Sequence, residues 1–264
     1  SISQFTVSQA NGGGTNAGAL NTLGSAITST TSNSFSTLVA PRGITVDPTG
    51  RYVYVANQGT TGALATVSAY SIGSSGALTI VGTYQTSGYG AYSIAVEPSG
   101  KYLYVTNNAS SSTVDAGTVL DLFQIANNDG SLTRTTGYTV GTGPRGVGIA
   151  GDSTATYLYV SNYTSNTVSG FSLDTSSGAL TTLSTSYANA TSGSGASGIV
   201  VDPTIASIYV TNYLSASPNG LTTMKIKTSG GGTYGSLSAP VSSPPSGSNT
   251  SYATGTNPLG IAIY

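Results

Sequence analysis

One phrase recurs at near-constant spacing: Tyr54-Val55-Ala56-Asn57, Tyr104-Val105-Thr106-Asn107, Tyr159-Val160-Ser161-Asn162 and Tyr209-Val210-Thr211-Asn212. The intervals are 50, 55 and 50 residues. Self-similarity at this period marks a propeller blade or a solenoid unit, because one such unit cannot bury its apolar faces alone. Around each phrase the chain resolves into four short strands. The first is Gly43-Ile44-Thr45-Val46, echoed at 93–96, 146–149 and 198–201; its small and β-branched residues suit a strand packed on both faces. A turn follows, Asp47-Pro48-Thr49-Gly50, repeated as Glu97-Pro98-Ser99-Gly100 and begun again by Asp202-Pro203. Pro presets the turn and Gly accepts positive φ.

The phrase itself forms the second strand, with Tyr52 and Tyr54 on one face and Val53 and Val55 on the other. The third strand reads Thr66–Ile72, with counterparts at Thr118–Phe123 and Thr167–Leu173. The fourth opens on Gly76-Ala77-Leu78-Thr79, Gly130-Ser131-Leu132-Thr133 and Gly178-Ala179-Leu180-Thr181. No stretch carries a capped helical pattern. The expected fold is therefore all-β, a β-propeller of about five four-stranded antiparallel blades in a single domain, 1–264. A sandwich would not demand units this regular, and a parallel β-helix has shorter rungs.

Four blades are expected near 43–90, 91–143, 144–195 and 196–257, with a split blade from 1–40 plus 258–264 shared between the termini. Ile2–Val7 matches the third strand, Gly18-Ala19-Leu20-Asn21 the fourth, and Pro258–Ile263 the first. The second strand of that blade has no copy, and it is expected just before Ser1 or just after Tyr264. An open blade leaves backbone N–H and C=O groups that invite a strand from another chain.

Aligned in this way, the chain resembles the YVTN-repeat, lactonase-like β-propeller family over nearly its whole length. The resemblance is carried by the Tyr-Val-x-Asn phrases, the Asp-Pro-x-Gly turns, Pro41-Arg42-Gly43, Pro144-Arg145-Gly146 and the Gly-Ala-Leu-Thr strand starts. It implies a propeller, seven-bladed in the familiar members, which hosts sugar-lactone-opening enzymes as well as surface proteins. The enzymes, as the family implies, use histidine, arginine and glutamate in the central channel. This chain has no histidine and a single glutamate, Glu97, which stands in a turn.

That inventory excludes the commonest general base and metal ligand. The absence of cysteine excludes disulfides and thiolate sites. Only 6% of residues are charged and the formal net charge is -1, so nothing draws the chain to nucleic acid. No apolar run reaches the roughly 18 residues of a membrane span. No catalytic residue, cofactor or metal site is expected.

The candidate ligand residues are Arg42, Arg145 and Tyr92, which share one position just before the innermost strand, where a propeller loop meets the channel mouth. Two arginines there suit an anionic ligand or a partner's carboxylate; the simpler reading has them paired with local carbonyls or acids. Asp47, Glu97 and Asp202 are read as turn caps, and Asn57, Asn107, Asn162 and Asn212 as residues that tolerate turn geometry at the strand ends. Asp115, Asp121 and Asp129 match no calcium loop. Asn108, Asn162, Asn189 and Asn249 begin N-x-S/T triplets and are candidate glycosylation sites. Residues 238–256 read as a long surface loop.

The functional expectation is a secreted or cell-surface structural or adhesive propeller, not an enzyme. It would self-assemble through its incomplete blade into a filament or lattice, or bind another surface protein. The alternative is a lactonase-like enzyme or a small-ligand binder at the central channel.

Overall fold

A computed structural model describes residues 5–7, 20–22, 40–60, 62–74, 76–108, 119–151, 155–188, 194–202, 204, 207–214, 220–227, 233–238 and 261. An N-terminal pair, β1 (Phe5–Val7) and β2 (Leu20–Thr22), is antiparallel. Three four-stranded antiparallel sheets follow. The first blade holds β3 (Pro41–Val46), β4 (Tyr52–Asn57), β5 (Thr66–Ile72) and β6 (Leu78–Gln85). The second holds β7 (Ala91–Val96), β8 (Tyr102–Asn107), β9 (Val119–Ile125) and β10 (Leu132–Thr139). The third holds β11 (Pro144–Gly151), β12 (Thr156–Asn162), β13 (Thr167–Leu173) and β14 (Leu180–Ala188).

The fourth sheet has three strands, β15 (Ala196–Val201), β16 (Ser207–Asn212) and β17 (Leu221–Lys225). The Ile226–Leu237 bridge and the Ser238 N–H···O=C Lys225 bond continue it as a rudiment of the expected fourth strand. The innermost strands β3, β7, β11 and β15 pack on one another in sequence. This is the blade arrangement of a propeller.

The core lies between the blades. Tyr54, Tyr104 and Tyr159 are fully buried, and each points into the following blade. Their hydroxyls donate to the carbonyls of Gly130, Gly178 and Gly235 at 3.1, 2.6 and 2.7 Å. Those glycines occupy the turn before the next blade's fourth strand, all at positive φ. The preceding tyrosine of each pair presses on the same turn. A Cβ on Gly130, Gly178 or Gly235 would stand 2.3, 2.5 or 2.1 Å from the ring of Tyr52, Tyr102 or Tyr157. The glycine is thus required twice, by backbone angle and by ring contact. Each buried ring contributes roughly 1.5–3 kcal/mol of apolar burial.

Within a blade, the strand-end asparagines do more than tolerate a turn. Asn57, Asn107, Asn162 and Asn212 are buried, and each amide donates to the third strand: to Ser68, Asp121, Ser169 and Thr222, at 3.0, 2.9, 3.0 and 2.9 Å. These acceptors share one register position, opposite Val55, Val105, Val160 and Val210. In the second blade the hydroxyl is replaced by the carboxylate of Asp121. Arg134 Nε at 2.9 Å, together with the Ser87 N–H and hydroxyl, satisfies that buried charge.

One expectation fails in the first blade. Ile44 and Val46 of β3 are 59% and 53% exposed rather than enclosed. Among the described residues β3 has an inner-strand neighbour, β7, on one side only.

The turn glycines give a direct test. Gly50 and Gly178 share a φ of 71°, but a Cβ at Gly50 meets nothing within 4 Å. Gly50→Ala is expected to cost about 1 kcal/mol, for strain alone. Gly178→Ala is expected to cost a further ~1–3 kcal/mol for the collision with Tyr102. Urea unfolding of the two variants measures the difference, and equal losses would refute the interlocking role of this glycine.

Candidate functional site

Each innermost strand begins with a register shift against its second strand: between Pro41 and Gly43, Ala91 and Ile94, Pro144 and Gly146, and Ala196 and Ile199. The residues inside these bulges include Arg42, Tyr92, Arg145 and Ser197. A bulge re-aims a side chain out of the alternating pleat, and all four side chains line one cavity of about 420 Å³ where the inner strands converge. The glycine after each arginine follows from the next blade's approach. A Cβ on Gly43 would lie 2.9 Å from the Tyr92 carbonyl oxygen, and one on Gly146 would lie 2.5 Å from that of Ser197. The Pro-Arg-Gly motif therefore couples a close backbone packing to a side chain turned into the mouth.

The structure brings the three predicted ligand residues together. Both guanidinium groups approach the Tyr92 ring, its centroid 5.5 Å from Arg42 Cζ and 5.2 Å from Arg145 Cζ. Arg145 also stacks on Tyr163 at 3.3 Å and stands 5.6 Å from the Tyr213 ring. These are cation–π contacts, which hold the guanidinium without neutralising it. Arg42 Nε donates to Gln58 Oε1 at 2.9 Å. The single ion pair among the described residues is Arg134–Asp121, so neither mouth arginine has the local acid that the simpler reading supplied.

Two buried polar atoms on this wall, Arg145 Nε and Ser197 Oγ, have no hydrogen-bond partner among the described residues. Burying such groups unpaired costs roughly 1–3 kcal/mol each. Sequence reasoning missed Ser197, Tyr163 and Tyr213. Ser197 follows from alignment with Arg145, and the two tyrosines share the position just after the asparagine of the repeated phrase, which Gln58 holds in the first blade. A second cavity of about 440 Å³ lies further along the inner strands, bordered by Pro98, Val147, Ile199 and Val201.

The acidic residues sit elsewhere. Asp47 accepts from the N–H groups of Thr49, Arg51 and Tyr52, and Glu97 from those of Ser99, Lys101 and Tyr102. Asp202 caps Thr204 and Asp129 caps Ser131. All four serve turns, as expected for Asp47, Glu97 and Asp202. Asp115 lies outside the described residues. Burial raises the Asp47 pKa, but hydrogen bonds from the Thr49 hydroxyl and the three backbone amides more than offset it, and the net shift is downward. The hydroxyls of Ser176 and Ser177 hold Asp174 at about 2, and Thr204 lowers Asp202.

Among the triplet asparagines, Asn162 is buried and its amide nitrogen donates to Thr167 and Ser169. That nitrogen is thus not presented to solvent for a glycan. Asn108 is half-buried beside the second blade, while Asn189 and Asn249 lie outside the described residues.

A family model, Lactonase, 7-bladed beta-propeller, matches residues 2–136 and 112–234. No match was found among curated protein sequences. Of the solved structures, a protein of unknown function from Desulfotomaculum acetoxidans is 17% identical with a TM-score of 0.57, over 75% of this chain and 54% of that one. A protein from Lactobacillus plantarum is 22% identical with a TM-score of 0.57, over 75% and 57%. A putative 6-phosphogluconolactonase from Bacteroides fragilis is 20% identical with a TM-score of 0.45, over 84% and 73%. The chain spans just over half the length of the first two.

The depressed aspartates set the acid response. Their folded pKa values lie below the unfolded value near 3.8. Their stabilisation is therefore complete above about pH 5 and is lost as pH falls through the folded values, towards about 2 for Asp174. The urea midpoint is expected to be level from pH 7 to about 5 and to decline between about 4 and 2. Asp47→Asn should lower the neutral-pH midpoint and flatten that decline; an unchanged slope would show that this turn does not take part.

Proposed function

The chain belongs to the Lactonase, 7-bladed beta-propeller family, and on that premise we propose that it binds a small anionic molecule, such as a sugar acid, at the channel mouth without turning it over. The observation that carries this reading is that Arg145 Nε and Ser197 Oγ, of two residues that line the 420 Å³ cavity, are both without a hydrogen-bond partner among the described residues. A carboxylate seated there would accept from both, and Arg42 would add a second positive charge at the rim. Tyr92 and Tyr163 keep Arg145 in place before the ligand arrives, which lowers the ordering cost of binding. Lactone opening needs a base to activate water. Among the described residues that line the cavity there is neither carboxylate nor imidazole, which supports binding over hydrolysis.

A second reading keeps the chain as a secreted or cell-surface protein that associates with copies of itself. It is supported by the exposed Ile44 and Val46 of the first blade and by the low charge, which offers little repulsion to packing. In both readings we take the ring to be five-bladed, with the last blade shared between the chain ends.

Calorimetric titration with gluconate and with inorganic phosphate tests the site. Arg145→Ala is expected to weaken binding about 10- to 100-fold, the loss of one charge-assisted hydrogen bond and its ion pair. Arg145→Lys should recover only part of it, because a lysine carries no Nε fork. Gluconolactone hydrolysis should remain at the uncatalysed rate. Binding indifferent to Arg145→Ala would overturn the proposal, and hydrolysis abolished by it would make the protein an enzyme.

A further inference from the structure

The two cavities on the inner strands form one path with unlike ends. Val147 and Ile199 border both of them, so the wall that begins at Arg145 and Ser197 runs on into the second cavity of about 440 Å³. Val147 stands two residues beyond Arg145 on β11, and Ile199 two beyond Ser197 on β15. Both strands continue past the second cavity's lining, to Gly151 and Val201. A strand rises about 3.3 Å per residue, so the path from Ser197 to Val201 is ~13 Å long.

The chemistry changes along this path. The first cavity carries the polar side chains of Arg42, Tyr92, Ser93, Arg145 and Ser197. Ser93 aligns with Gly146, and its hydroxyl accepts from the Val147 N–H at 3.3 Å. Beyond that level the lining is Pro98, glycine and aliphatic residues, with Val147, Ile149, Ile199 and Val201 among them. The only polar atoms these residues offer are those of the main chain. Ile149 and Val200 are half-buried, so both keep apolar surface that a ligand can cover.

An anion held by Arg145 Nε and Ser197 Oγ is fixed at the polar end of the path. What the rest of that ligand gains depends on the aliphatic end. A polyol chain sent along this wall would bury hydroxyls where no described side chain pairs them, which opposes binding. A hydrocarbon chain loses nothing by leaving water there, and each methylene it covers adds to affinity.

We infer that the ligand of this site is an amphiphilic carboxylate. Its head accepts from Arg145 Nε and Ser197 Oγ, and its aliphatic tail lies along Val147, Ile149, Ile199 and Val201. The inference rests on the anion-binding reading proposed above and narrows the class of ligand that the same site takes. The bulge positions then recognise the head, and the inner strands themselves recognise the tail.

Calorimetric titration with butanoate, hexanoate and octanoate tests this. Affinity is expected to rise about three- to fourfold for each methylene the wall covers. Octanol, which has the tail without the carboxylate, should bind at least about tenfold more weakly than octanoate. Arg145→Ala should weaken all three acids by a similar factor. Ile149→Thr keeps the branched shape and sets a hydroxyl on the wall. It should weaken octanoate about 3- to 10-fold and leave butanoate unchanged, which also reports that the variant is folded. Val200→Thr makes the same test should Ile149→Thr fail to fold.

Octanoate bound no more tightly than butanoate, with gluconate binding retained and dependent on Arg145, would overturn the tail and leave the anion site standing. Octanol bound as tightly as octanoate, or octanoate indifferent to Arg145→Ala, would reduce the effect to adsorption on apolar surface and overturn the inference. Octanoate affinity unchanged in both threonine variants would overturn it as well. If none of the acids binds, the anion reading falls with it.

Discussion

The contact between a second-strand tyrosine and the turn glycine of the following blade governs this molecule. A propeller blade is a four-stranded sheet with two apolar faces, and it is stable only when a neighbour covers each. Face-to-face packing of such sheets is apolar and has little direction of its own. The buried phenols of Tyr54, Tyr104 and Tyr159 add direction, because each must reach one carbonyl or stay unsatisfied. Burial also raises the pKa of all three well above the ordinary phenol range. They therefore remain protonated donors through the neutral and moderately alkaline range, and the angle between blades is set by bonds that persist there.

The Asn contact sets the other dimension. It joins the end of the second strand to the third within a blade, at one register position used four times. With both contacts in place, the Tyr-Val-x-Asn phrase reads as a single device: tyrosine outward to the next blade, valine back to the previous one, asparagine sideways into its own sheet. The second blade shows how far the device can be changed. Asp121 replaces a hydroxyl by a charge, and Arg134 and Ser87 are recruited to balance it.

Much of this was legible in the chain because the repeat is written in residues that face the core. Period, strand alternation and the Asp-Pro-x-Gly turns placed the strands, and Arg42, Tyr92 and Arg145 met at one mouth because they share a repeat position. Three features were not legible. The buried role of the asparagines depends on a cross-strand partner 5 to 14 residues away, which no local pattern signals. Tyr163 and Tyr213 share the repeat position just after the asparagine, where Gln58 meets Arg42 in the first blade, but the phrase does not report that this position faces the arginine of the mouth. The exposure of Ile44 and Val46 depends on what stands beside the first blade, and β-branched composition does not report that.

The bulge at the head of each inner strand links the packing to the site. At Gly146 the next blade's backbone comes so close that no Cβ fits, and the neighbouring residue is turned out of the pleat into the mouth. The residue in that place is thereby freed from the packing that fixes its neighbours. Across four blades it is Arg42, Tyr92, Arg145 and Ser197, while the flanking residues stay small. A scaffold of this kind separates stability from recognition: the glycines and tyrosines hold the ring, and the bulge positions vary without disturbing it. The absence of histidine removes the usual base from this mouth, but it leaves untouched the two cations and the hydroxyl that a bound anion would meet.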